Sequence, residues 1–88
     1  MIEMPPEFKD VFLVLEFGAQ KYPPDGWLNP DPVKAKLTHK SNCDSMFHHL
    51  AARYAGIKTD HESDLSHYLH LSCRALMAYT REKRGLAE

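Results

Sequence analysis

The side chains best suited to chemistry in this sequence lie in its second half. His67, His70 and Arg74 fall on one line of a helical projection with Ser63 and Arg81, and Asp60, Glu62 and Asp64 cluster just ahead of them. Neutral imidazoles together with carboxylates suit a divalent transition metal, while carboxylates alone suit magnesium. Histidine, arginine and lysine lining a cleft would instead hold phosphate oxygens. Spacing does not choose between these chemistries. The sequence has no H-E-x-x-H pair, no Walker or Gly-rich phosphate loop and no Ser-His-Asp order. A solvated edge accounts for the same line equally well, because it lies opposite the centre of an apolar face.

That face belongs to the stretch Asp60–Tyr79, read as a helix that is apolar around most of its circumference. Leu65, Tyr68, Leu69, Ser72, Cys73, Leu76 and Tyr79 follow the spacing of a buried stripe. A helix covered on most sides is expected at the centre of a small bundle. Thr59 and Glu62 read as a T-x-x-E capping box that opens it. The preceding helix is expected to start near Ser41 as N-cap and to end at Gly56. Its apolar face is Cys43, Met46, Phe47, Leu50, Ala51 and Tyr54. His48 falls opposite that face as a solvated residue, and His49 and Arg53 flank it, four apart and able to point into one cleft.

The first helix is expected from Glu7 to about Tyr22, with Pro6 in its first turn. Phe8, Val11, Phe12, Leu15, Ala19 and Tyr22 form one stripe, and Leu13, Val14 and Phe17 spill onto other faces. Such a surplus of apolar surface in a small domain points to a second subunit. Gly18 inside this helix costs about 1 kcal/mol relative to alanine, and close packing against another helix, ahead of the approach of a ligand, is its expected reason. Between the helices, Pro23–Lys40 is too rich in proline for regular structure over most of its length and reads as a long loop. Trp27 within it either seals the bundle as a lid or stacks its ring on a base or partner.

Together these elements predict an all-α fold, a small three-helix bundle with a long Pro-rich loop between helices 1 and 2, forming one domain over residues 1–88. Composition agrees: 43% hydrophobic and 26% charged residues describe an ordinary globular chain. The net charge of −1 offers no field for nucleic acid or an anionic membrane, and no run approaches the ~18 apolar residues of a membrane span. Cys43 and Cys73, without a CxxC pair or a signal peptide ahead of them, read as buried free thiols in a reducing cytoplasm. Six histidines make the charge sensitive to mildly acidic pH.

Four segments carry a resemblance: LEFGAQKY, PPDGW, MFHHLAARYAG and DHESDLSHYLHLSCRALM. In this order they resemble the phage-encoded dATP/dGTP diphosphohydrolase family of the N-terminal-domain type, a relative of the helical nucleotide pyrophosphohydrolases. The matching positions are Phe17, Gly18, Ala19, Lys21 and Tyr22; Trp27, His49 and Leu50; and Gly56, Asp60, Glu62, Ser63, His67, His70 and Cys73. His48 stands where the family pattern has arginine, and the E-E-x-x-E with downstream E-x-x-D of helical pyrophosphohydrolases is absent.

The resemblance implies hydrolysis of a purine deoxynucleoside triphosphate to the monophosphate and pyrophosphate, in the cytoplasm of an infected host. It implies Mg²⁺ or Mn²⁺ near Asp60, Glu62 and His67. His49, His67 and Glu62 are then the catalytic candidates. Lys21 falls to the phosphates and Tyr22 or Trp27 to the base, and His70 and Arg74 of the polar line join them as substrate-binding candidates. It also implies a homodimer or larger oligomer with the cleft between subunits. The alternative is a phage protein that kept the fold and lost the chemistry, binding a host protein as an inhibitor of a host defence system.

Overall fold

The computed structural model describes residues 2–88, so residue 1 of the expected single domain lies outside the described residues. Among them the chain is all-helical, with no strand and a single isolated bridge between Thr59 and Ser66. A 3₁₀ segment, Pro6–Asp10, runs into α1, Val11–Ala19. A second 3₁₀ turn, Gly26–Leu28, and a one-turn helix α2, Pro32–Ala35, follow. The two long helices are α3, His39–Tyr54, and α4, His67–Lys83. α4 packs against both α3 and α1, and α2 packs against the Gly26–Leu28 turn. The expected three-helix bundle is therefore the architecture, and α4 is its hub. No helix among the described residues is long and apolar enough to cross a membrane.

Several boundaries differ from those expected, each for a local chemical reason. The first helix is α-helical only from Val11, since the Pro5-Pro6 pair starts a tighter 3₁₀ turn over Pro6–Asp10. The loop after it is partly ordered by Asp31, whose side chain caps α2 by accepting from the Val33 N–H, and by Lys36 in the left-handed conformation that ends it. Thr38, not Ser41, caps α3, its Oγ1 accepting from the Ser41 N–H at 3.1 Å. Gly56 follows the end of α3 with φ +90°, as a residue ending a helix in the left-handed region should.

The largest correction concerns Thr59–Ser66. The T-x-x-E box does not form, and the last helix begins at His67, not at Asp60. Asp60 uses its carboxylate to close its own turn, Oδ1 accepting from the Glu62 and Ser63 N–H groups at 2.9 and 3.1 Å. That competes with helix in the way short acidic side chains do. The Asp60 N–H bonds Leu65 O, and the His67 N–H bonds Lys58 O. The result is a closed loop, with Ser66 as the real N-cap accepting from the Tyr68 N–H.

α4 is also rotated from the expected orientation, with Cys73 the one member of the expected stripe that is buried among the described residues. Its buried residues are His67, Cys73 and Arg81, at 4, 3 and 2% exposure, whereas Tyr68, Leu76 and Tyr79 of the predicted buried stripe are more than half exposed. The polar line is the inward one. Gly18, finally, is not a close-packing position, because a Cβ placed there would meet nothing within 4 Å.

Candidate active site

Two adjoining features occupy the inward side of α4. The first is a histidine cluster. His49, from the middle of α3, and His67, from the first turn of α4, are both buried, and their Nδ1 atoms lie 2.7 Å apart. One ring must donate and the other accept at that distance, so at most one carries its proton there. His70, one turn along α4, stacks on His49 at 4.7 Å between centroids and 9° between planes. His48 approaches edge-on, 5.1 Å from His49. Ser63 Oγ reaches His70 Nε2 at 2.6 Å and also lies 3.4 Å from Asp60 Oδ1, tying the closed loop to the cluster.

Electrostatics follow from this crowding. Burial, then the neighbouring His70, His67 and His48, push His49 down to about 4, so it is neutral near pH 7. Burial also lowers His70, against the opposing pull of Asp60. Burial pushes Asp60 upward, but the two backbone N–H groups it accepts and the nearby His70 and His49 outweigh this and hold it below the usual carboxylate value. Asp60 is an anion and His49 a neutral imidazole, the protonation states that metal ligation needs. One ligand atom from each of His48, His49 and Asp60 lies within 4.8 Å of the others.

The second feature is a cleft of about 560 Å³ between the C-terminal part of α1, the Pro23–Leu37 segment and α4. Its walls bring together Lys21, Tyr22, Trp27, His70 and Arg74, the five residues assigned to substrate contact from sequence, although they come from three different segments. Phe17, Lys34 and Lys36 add to it, and among the described residues no carboxylate lines it. Lys36 lies over the Tyr22 ring at 5.0 Å. Burial lowers Arg74, yet a guanidinium starts so high that it keeps its charge. The cleft thus presents cations and aromatic rings together, within the size range of small-molecule sites.

His49 and His67 do not line the cleft, and His70 joins the two features. Glu62 stands apart from the cluster, exposed and paired with Lys21 at 2.8 Å. Its carboxyl is held down by that hydrogen bond, and the lysine is raised by the same one.

Sequence reasoning missed two contributors. His48 is exposed, as the sequence suggests, yet its ring lies 5.1 Å from that of His49, so an exposed position at a helix edge still borders the cluster. Arg81 had been placed with the polar line but given no task. Its guanidinium is buried, with Nη1 donating to Trp27 O at 2.7 Å and Asn29 O at 2.6 Å and Nη2 donating to Ala87 O at 2.6 Å. It therefore anchors the Trp27 turn against α4. The signal available was its heptad spacing from His67 and Arg74.

Fold and site thus define a small all-α domain whose polar centre opens into a cationic, aromatic cleft. A family model described as dATP/dGTP diphosphohydrolase, N-terminal, matches residues 2–87, and the chain belongs to that family. No curated protein and no solved structure matches it.

Proposed function

We propose that the chain binds a purine deoxynucleoside triphosphate in the cleft and hydrolyses it to the monophosphate and pyrophosphate, with a divalent cation, Mg²⁺ or Mn²⁺, on the Asp60 side. The observation carrying this reading is the cleft's composition, cations and aromatic rings without a carboxylate, beside a histidine cluster. Water attacks the α-phosphorus and the bond to the bridging oxygen breaks, so charge builds on the departing pyrophosphate. Arg74 and Lys21 meet that charge, and fixed cations in a partly desolvated cleft stabilise it without reorganising. Lys21 must exchange its Glu62 partner for phosphate, an inexpensive step because both groups are exposed. Tyr22 and Trp27 offer faces for the base. His49 and His67 share one hydrogen bond beside the cleft, His70 stacked on His49 joins them to it, and imidazole is the side chain most often used for general acid–base transfer. The cation, when bound, neutralises phosphate charge and activates water.

The test is incubation with each of the four deoxynucleoside triphosphates and Mg²⁺ or Mn²⁺, followed by separation of the products. Deoxyadenosine or deoxyguanosine monophosphate with pyrophosphate is the expected result. Intact triphosphates throughout would overturn it and leave the binding-protein alternative, which the presence of a cleft disfavours.

The same reading includes a second copy of the chain. Phe8, Phe12 and Leu13 at the first helix and Tyr68, Leu76 and Tyr79 on α4 are all exposed, while among the described residues the buried apolar ones are only Ala35, Leu37 and Cys73. Apolar surface of that extent is characteristic of interfaces. Sedimentation at tens of micromolar, roughly the scale at which such contacts saturate, is expected to give a dimer or larger. A monomer there would remove this part of the proposal.

A further inference from the structure

The geometry points to a transition-metal centre at His48, His49 and Asp60, selective for a borderline ion of the Mn²⁺, Co²⁺ or Zn²⁺ class over Mg²⁺. This deepens the functional reading above and rests on it only for the use made of the metal. The binding claim stands on the donors themselves.

Two imidazoles and one carboxylate form a nitrogen-rich set, which magnesium, a hard ion preferring oxygen, binds poorly. The three ligand atoms lie within 4.8 Å of one another. Bonds of ~2.0–2.2 Å to a common tetrahedral ion place ligand atoms roughly 3.3–3.6 Å apart, so the widest pair closes by up to about 1.5 Å. His48 is exposed and can supply that movement.

The remaining donors are already oriented. His49 is fixed on both sides, by the 2.7 Å hydrogen bond to His67 and by its stack on His70. A ligating histidine typically gives its second nitrogen to such a partner, and His67 fills that place. Asp60 is similarly divided. Its hydrogen bonds among the described residues, from the Glu62 and Ser63 N–H groups and the Ser63 hydroxyl, all fall on Oδ1, leaving Oδ2 for an ion. Glu62, by contrast, is held by Lys21 and is not needed. Three protein ligands leave open positions for water or a phosphate oxygen, as in catalytic rather than structural sites.

The experiment uses untagged chain stripped by a chelator and titrated with Co²⁺, read by the visible absorption of the bound ion. One Co²⁺ per chain is expected, displaced by Zn²⁺ but retained against about a hundredfold excess of Mg²⁺, a preference of at least ~3 kcal/mol. His48→Gln and Asp60→Asn are expected to weaken Co²⁺ at least tenfold, on the scale of lost metal contacts. Asp60→Asn keeps the Oδ1 acceptor that closes the loop, and circular dichroism checks that both variants stay helical. No Co²⁺ absorption in the parent chain, unchanged affinity in both variants, or displacement by equimolar Mg²⁺ would each overturn the inference. Equilibrium dialysis of a non-hydrolysable dATP analogue against the stripped chain separates the two claims. Loss of nucleotide binding there counts against the cleft, and loss of Co²⁺ counts against the metal centre.

Discussion

The two sides of α4 divide the work of this molecule in an unusual way. The inward side carries His67, His70, Arg74 and Arg81, and the outward side carries Tyr68, Leu76 and Tyr79. In an ordinary small domain the assignments would be reversed, because apolar burial drives folding. Here the interior is held by polar contacts that each satisfy a specific partner. Asn42 Nδ2 donates to Arg74 O, Arg81 clasps three carbonyls, and the histidines bond one another. Polar interiors are costly unless nearly every group is paired, and here the apolar side of the helix is the one left exposed. Even so, Asn42 Oδ1 and Arg81 Nε remain buried without a partner.

The clearest way to break this contrast is Arg81→Met, which keeps the stem and removes the charge. Trp27 O, Asn29 O and Ala87 O would lose their donor together, and stability is expected to fall by on the order of 3 kcal/mol. Urea unfolding measures it. A change under about 0.5 kcal/mol, the size of an ordinary surface substitution, would mean the inward side is not held by its polar contacts.

Next in size is the loss of chemistry rather than stability. His49→Gln retains an amide that can bond His67 but removes the imidazole. Hydrolysis of the purine triphosphate is expected to drop ~10²-fold or more, as for a lost acid–base or ligand group. Undiminished turnover with a folded protein would reduce the cluster to a packing device.

Much of this was legible beforehand and some of it was not, for reasons that individual residues make plain. The helices, the Pro-rich connection and the Gly56 stop are local signals of propensity and backbone geometry. Lys21 and Trp27 could be named from family resemblance and Arg74 from the polar line of the last helix, and the three do converge on the cleft. Periodicity, however, reports that a helix has two faces and not which one turns inward. With Leu76 and Tyr79 on one side and Arg74 and Arg81 on the other, the usual rule chose wrongly, because a second interior made of hydrogen bonds leaves no stripe of apolar residues to detect. The Asp60 loop failed differently. Thr59 and Glu62 have the right spacing for a cap, but Asp60 between them closes a turn first.

Acid should distinguish the two sides by a smaller amount. In the metal-free chain burial and the neighbouring histidines push His49 down to about 4, from the 6.5 of a free imidazole. A lowered value means the unfolded chain binds the proton more readily, so this contribution is complete above about pH 6.5 and lost as pH falls toward 4. The roughly 3 kcal/mol that the full displacement carries is reduced to about 1–2 kcal/mol because solvent reaches part of the cluster. Thermal unfolding at pH 7 and pH 4.5 should show the loss, and His49→Gln should remove most of it. An equal loss in that variant would place the acid sensitivity elsewhere.

Gly18→Ala offers the smallest effect and the sharpest discrimination, because the two regions make opposite demands on one position. Gly18 lies near the end of α1, and a methyl group added there meets nothing within 4 Å. In the free protein the substitution should therefore stabilise the chain by about 0.5–1 kcal/mol, through helix propensity and a less flexible unfolded state. Yet Gly18 also lines the cleft beside Tyr22 and Trp27, where a bound base would come against bare backbone. A variant that unfolds later in urea but binds the dATP analogue more weakly would show that the glycine serves the ligand at the helix's expense. Greater stability with unchanged binding would move the base away from α1 and toward the Trp27 turn. Lower stability would mean that α1 meets a second copy at this point, returning Gly18 to the close-packing role the free chain does not display.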